Sequence, residues 1–157
     1  MRGRLAFVPL LTLLAAGCAK PVDLKQAVEV TDVATGWFDA GIVGGKNKLV
    51  PSVTFRLKKP ADANISLSLN VVFKEEGATE DWDDVFVQQV KFPDGSQTAP
   101  LTVRPEKGYT GDPPQSRSDM LNNSRFRDLT AQIFAKQSST QWIELQRVKI
   151  ARQILTQ

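Results

Sequence analysis

From residue 53 the chain alternates. In Val53-Thr54-Phe55-Arg56-Leu57-Lys58 every odd position is apolar and every even position is polar. Pro60-Ala61-Asp62-Ala63 breaks the run. It resumes at Ile65, Leu67, Leu69, Val71 and Phe73, with Ser66, Ser68, Asn70 and Lys74 facing the other way. A period of two sets one row on a core and the other in water, whereas a helix would scatter these residues round its circumference. The two runs flank a short turn and are expected to pair as antiparallel neighbours.

Weaker strand signals lie on either side. Val28 and Val30 alternate with Glu29 and Thr31, and Gly41, Gly44 and Gly45 with Lys46-Asn47-Lys48 read as a turn-rich loop. Residues 85–92 are β-rich and end at Pro93-Asp94-Gly95-Ser96, a turn signal. Leu101 and Val103 sit between Pro100 and Pro105 as a short edge piece. Leu129, Ala131, Ile133 and Ala135 alternate with polar residues apart from Phe134, and Ser138-Ser139-Thr140 turns the chain. Ile143 and Leu145 continue the pattern, while Val148 and Ile150 fall one step out of phase, as a bulge allows. Trp142, Leu145 and Val148 also recur at threes, a helical spacing; the hairpin turn before them favours strand. About seven short strands without a long helix predict an all-β fold, a single antiparallel β-sandwich of immunoglobulin type over residues 28–157. With one cysteine, the antibody-type disulfide is absent.

The N-terminus follows a different pattern. Arg2 and Arg4 precede an apolar run from Leu5 to Leu14, then Ala15-Ala16-Gly17-Cys18. A positive end, an apolar stretch of roughly 7–15 residues and a small-residue site make a secretory signal, here residues 1–17. The run is short of the ~20 residues a spanning helix needs. Cys18 behind Ala15-Ala16-Gly17 resembles the bacterial lipobox, with alanine where leucine is usual and Leu14 one step back. That resemblance implies acylation of the Cys18 sulfur, cleavage before it, and a lipid anchor of two or more chains, which holds a protein firmly on a bilayer. Ala19 next to it implies the outer membrane by the enterobacterial sorting rule. Residues 18–27, with Pro21, are expected to form a lipidated linker.

The run PSVTFRLKKPADANISLSLNVVFK resembles the small Ig-like modules of bacterial envelope lipoproteins, including FxLYD-type domains, over residues 50–104. The FxLYD motif itself is not present. The resemblance implies a non-enzymatic sandwich.

Charge and composition narrow the function further. The whole chain carries +3, and loss of Arg2 and Arg4 leaves 18 basic against 17 acidic residues. A near-neutral body with interspersed charges has no footprint for nucleic acid. No histidine exists, so Ser-His-Asp and Cys-His catalysis and histidine-based zinc sites are unavailable. No phosphate-binding loop or dinucleotide fingerprint occurs. Carboxylate pairs remain, which keeps a cell-wall glycoside hydrolase compatible with the composition.

Two loops carry candidate binding chemistry. Residues 75–84 cluster carboxylates round Trp82, with Asp81, Asp83 and Asp84 as weak calcium candidates. Trp82 either caps the sandwich end or meets a partner. Residues 105–118 form a long loop in which glycines flank Tyr109, either a structural pin or a binding residue, and Asp119 is expected to cap a helical turn through Met120 and Leu121. The expectation is a lipid-anchored envelope protein facing the periplasm, with no catalytic residues and no cofactor beyond the lipid on Cys18. Trp82 and Tyr109 would contact an envelope partner. A calcium-dependent binding module and a small-molecule carrier are also compatible with these residues.

Overall fold

The computed structural model describes residues 22–155, so the expected signal segment 1–17 and the lipidation site Cys18 lie outside the described residues. Two sheets face each other. One runs in the order β5 (Leu101–Val103), β2 (Lys46–Lys58), β1 (Glu29–Val43) and β9 (Ile154–Leu155), with β6 (Tyr109–Gly111) also paired to β2. The other runs β4 (Asp83–Val87), β3 (Leu67–Glu75), β7 (Leu129–Gln137), β8 (Ile143–Lys149). Helix α1 (Leu24–Ala27) precedes β1, and α2 (Arg117–Asn122) lies between β6 and β7. The fold is all-β as expected. Its ladders are antiparallel except β1 with β9.

The alternating rows close the core. Val53, Phe55 and Leu57 from β2 meet Leu67, Leu69, Val71 and Phe73 from β3, with Ala131, Ile133 and Ala135 from β7 and Trp37 from β1, all buried. Each large apolar side chain taken out of water contributes about 1.5–3 kcal/mol. These side chains fill the space between the sheets where a small-molecule carrier would need a cavity.

The two alternating runs do not pair with each other. β2 has β1 on one side and β5 and β6 on the other, whereas β3 lies between β4 and β7 in the opposite sheet. The connection that reads as a hairpin turn carries the chain across the core instead. Pro60 has no N–H for a ladder, and the Lys59 ammonium donates to the carbonyls of Ala63 (2.7 Å) and Gly95 (2.6 Å), fixing the crossing loop.

Other elements shift in detail. The glycine-rich loop is a tight turn at Gly44 and Gly45 between two long strands, and Gly41, at φ 75°, marks an irregularity in their register. The strand expected over 85–92 stops at Val87, and Gln89 sits at φ 59° just beyond it. Residues 105–118 include β6 and the start of α2. The cap of α2 is Ser116 and not Asp119: its hydroxyl accepts the Asp119 N–H at 3.1 Å and donates to Asp119 Oδ2 at 2.6 Å. Residues 143–149 are strand, and the bulge is at Leu145, because Ile133 pairs Gln146 while Phe134 pairs Glu144.

The end of the expected linker over 18–27 is packed. Asp23 accepts the Lys25 N–H at 3.0 Å, α1 makes one turn, and Leu24 and Val28 are buried in the core. At the far end of the chain, residues 149–155 cross from one sheet to the other. Thr35 fastens that crossing: its hydroxyl donates to the Lys149 carbonyl (3.0 Å) and accepts the Ala151 N–H (3.1 Å), while Gln153 Nε2 donates to the Thr35 carbonyl (2.7 Å).

Candidate functional site

The two loops singled out from sequence meet at one end of the sandwich. Lys107 joins them: its backbone N–H donates to Asp83 Oδ2 at 2.9 Å, and its ammonium donates to the Trp82 carbonyl at 3.2 Å and lies 4.9 Å from the centre of the Trp82 ring. Trp82 is half-buried against the core, and its backbone N–H donates to the Phe73 carbonyl at 2.8 Å. Tyr109 is half-buried too, edge-on to Phe126 at 4.9 Å, and Phe126 in turn meets Trp37 at 4.7 Å. Both rings thus fold onto the body, the packing that a cap and a pin require.

The acidic residues of this loop disperse. Asp81 faces Lys74 at 3.9 Å, Asp83 accepts the N–H groups of Asp84 and Lys107, and Asp84 takes the Asn70 amide at 3.0 Å in the orientation that satisfies that side chain. Among the described residues no three His, Cys, Asp or Glu side chains converge as a metal ion would need. Asp81, Asp83 and Asp84 instead each have a different partner within the fold.

The outer face of the β4-β3-β7-β8 sheet is different. Phe86, Asn70 and Phe134 stand side by side across β4, β3 and β7. Trp142, just before β8, lies edge-on to Phe86 with ring centres 6.1 Å apart. Asn70, Val72, Phe134 and Trp142 line a shallow, mainly apolar groove of about 210 Å³. Phe86 is 53% exposed and Trp142 38%. Charge rims this surface: the Lys136 ammonium sits 4.6 Å from the centre of the Trp142 ring, and Arg147 pairs with Glu144 at 3.0 Å. An aromatic surface left in water is costly unless something covers it.

None of these three aromatics stands out as a binding residue in the sequence, though two of them leave a trace. Phe134 breaks the alternation of β7, and Phe86 occupies the polar phase between Val85 and Val87. An aromatic residue in the solvent row of a clean strand is the signal that finds this face.

The displaced acidities point to structure. Asp94 is held below the ordinary carboxylate value by the backbone N–H groups of Gln97 and Ser96, and Asp128 by Arg152 and Lys149. Arg147, Lys149 and Arg152 are held above theirs by Glu144, Asp128 and Glu76. Every shift favours the charged form, the opposite of what a general acid needs. Among the described residues no helix is long and apolar enough to cross a membrane. Comparison with known protein families, curated proteins and solved structures finds no match to this chain.

Proposed function

We propose that this chain is a lipid-anchored bacterial envelope protein whose non-catalytic sandwich faces the periplasm, with the aromatic face of the β4-β3-β7-β8 sheet as its docking surface for a protein partner. The observation that carries the docking surface is Phe86, Phe134 and Trp142 grouped on a solvent-facing sheet. Exposed aromatics within a charged rim have the composition of protein interfaces. The strand order supports an immunoglobulin-like reading, since β2 lies between β1 and β5 while β3 lies between β4 and β7, with β8 outermost.

The docked helical turn shortens the tether. Only residues 19–23 separate Cys18 from the buried Leu24, a reach of roughly 20 Å at full extension. An anchored body would stay close to the bilayer, its α1 end towards the lipid. The Trp82 and Tyr109 loops, at the other end of the strands, would point away from the membrane.

The test is photo-crosslinking in intact cells from a residue beside the patch, with and without Phe86→Ser, Phe134→Ser and Trp142→Ser together. The expected result is one dominant crosslinked protein that disappears with the triple substitution while the melting temperature holds. An unchanged crosslinking pattern removes the docking surface. Intact-mass analysis of the same material tests the anchor, and an unmodified Cys18 thiol would end that part of the proposal.

A further inference from the structure

The connection that carries the chain across the core from β2 to β3 contains Asp62-Ala63-Asn64-Ile65-Ser66. Asn-x-Ser or Asn-x-Thr, with x other than proline, is the triplet on which a saccharide is attached through the asparagine amide, on an exposed segment of an exported protein. The triplet by itself is common. What singles this one out is how the fold presents it.

Asp62, Asn64 and Ser66 are exposed, whereas Ala63 packs against the core and Ile65 and Leu67 are buried. The alternation of β3 thus runs back through the connection as far as Asp62, although pairing with β7 begins only at Leu67. The Ile65 N–H donates to the Ala63 carbonyl at 3.0 Å, which closes a three-residue turn with Asn64 at its apex. Asp62 and Ser66 flank that apex in the same outward row. The other bonds that fix the connection leave the row alone: the Ala63 N–H donates to the Pro60 carbonyl at 3.1 Å, and the Lys59 ammonium holds the carbonyls of Ala63 and Gly95. Among the described residues Asp62 forms no ion pair.

A second triplet, Asn122-Asn123-Ser124, lacks this presentation. Asn122 is the last residue of α2, and the residue two places before it is the buried Met120. Asn123 then coils the chain, its carbonyl accepting the Phe126 N–H at 3.0 Å and its side-chain oxygen the Arg125 N–H at 2.9 Å. The same three residue types therefore occur once on a helix end and once at the apex of an outward row. The molecule carries its own control.

We propose that Asn64 is a glycosylation site, its amide accepting an oligosaccharide from a lipid-pyrophosphate-linked donor through a membrane-bound transferase that reads Asp62, Asn64 and Ser66 together. Asn64 Nδ2 attacks the anomeric carbon of the donor's first sugar. A C–N bond forms, the C–O bond to the pyrophosphate breaks, and the lipid pyrophosphate leaves with the bonding pair. The proton lost by the amide passes to a basic group of the transferase. The Ser66 hydroxyl seats the triplet, and Asp62 offers a free charge beside it for a cationic group of the enzyme to hold. Ile65 stays buried while the outward row is read, so the folded domain serves as the acceptor. The inference rests on the export proposed above, and not on the docking face.

The test is peptide mass spectrometry of the full-length protein purified from the cells that produce it. The peptide holding Asn64 is expected to carry the added mass of a saccharide, with fragment ions placing it on that residue, while the peptide holding Asn122 stays bare. Asn64→Gln and Ser66→Ala should each abolish the added mass. Asp62→Asn should lower its occupancy by about tenfold or more, because a charged contact becomes a neutral one. All three positions are exposed, so the melting temperature of each unglycosylated variant should match that of the unglycosylated parent. A bare Asn64 in the native protein overturns the inference, as does an occupancy that Asp62→Asn or Ser66→Ala leaves unchanged. The same spectra read Cys18 independently. A lipidated Cys18 with a bare Asn64 rejects the glycan and keeps the anchor, whereas a saccharide on Asn64 with a free Cys18 thiol rejects the anchor and keeps the glycan.

Discussion

Leu24 sets the length of the tether that the proposed anchor would have. Only 3% of its surface is exposed, and it sits in a single helical turn capped by Asp23. Leu24→Ala removes a buried isobutyl group and leaves a cavity, a change that costs 2–5 kcal/mol in typical cores. Here the low end applies, about 2–3 kcal/mol, because a terminal turn can detach and the loss is limited by its own docking free energy. For a domain of this size that lowers the melting temperature by roughly 5–10 °C. Urea unfolding measures the effect directly, and the shift should appear in the midpoint. Proteolysis adds a second readout, since an undocked turn should be cut at Lys25 under native conditions. If the variant unfolds within about 0.5 kcal/mol of the parent, the range expected of an ordinary surface change, residues 22–27 behave as a free linker. The short tether then goes with them.

Two further outcomes follow from the closure of the sandwich. Thr35→Val keeps the side chain's shape but strands the Lys149 carbonyl and the Ala151 N–H, for a loss of about 1–3 kcal/mol. Hydrogen exchange at Ala151 should accelerate, and an unchanged amide there would refute the fastening role. Asp128 is held below its ordinary value of 3.8, first by its hydrogen bond to Arg152 and then by Lys149. A depressed carboxylate adds stability that is present above the unfolded value and is lost as pH falls through the folded one. Asp128→Asn should therefore cost about 1 kcal/mol near neutral pH, and the difference should close in acid below pH 3.8. A gap that persists in strong acid would assign the effect to packing.

Much of the architecture is legible in the chain because period-two alternation reports directly on which side chains meet a core. It locates β2, β3, β7 and β8, and even the phase slip that becomes the bulge at Leu145. Pairing is harder. The connection over residues 59–66 looks like a turn in sequence, yet whether it bends back within one sheet or crosses to the next depends on edges occupied by residues far along the chain. β6 and β9 are three and two residues long and hold their places through β2 and β1, so they have little local signal, whereas flanking prolines mark β5 at Leu101–Val103. Leu24 reads as linker because one buried leucine beside charged neighbours has no period to reveal it.

The candidate surfaces divide the same way. Trp82 and Tyr109 stand out as isolated aromatics in polar loops, but the same isolation suits a ring folded under its own loop. Phe86 and Phe134 are 48 residues apart in the chain and, with Trp142, adjoin only across the sheet.

Local composition was enough to set the all-β character, the inward rows, the absence of histidine chemistry and the expectation of a lipid on Cys18. Each of these depends on a residue's identity and its near neighbours. Which edges are open, which aromatics share a face and how Lys107 joins the Trp82 and Tyr109 loops were decided by tertiary structure. Those relations arise from hydrogen bonds and packing between segments whose separation along the chain carries no record of their distance in space.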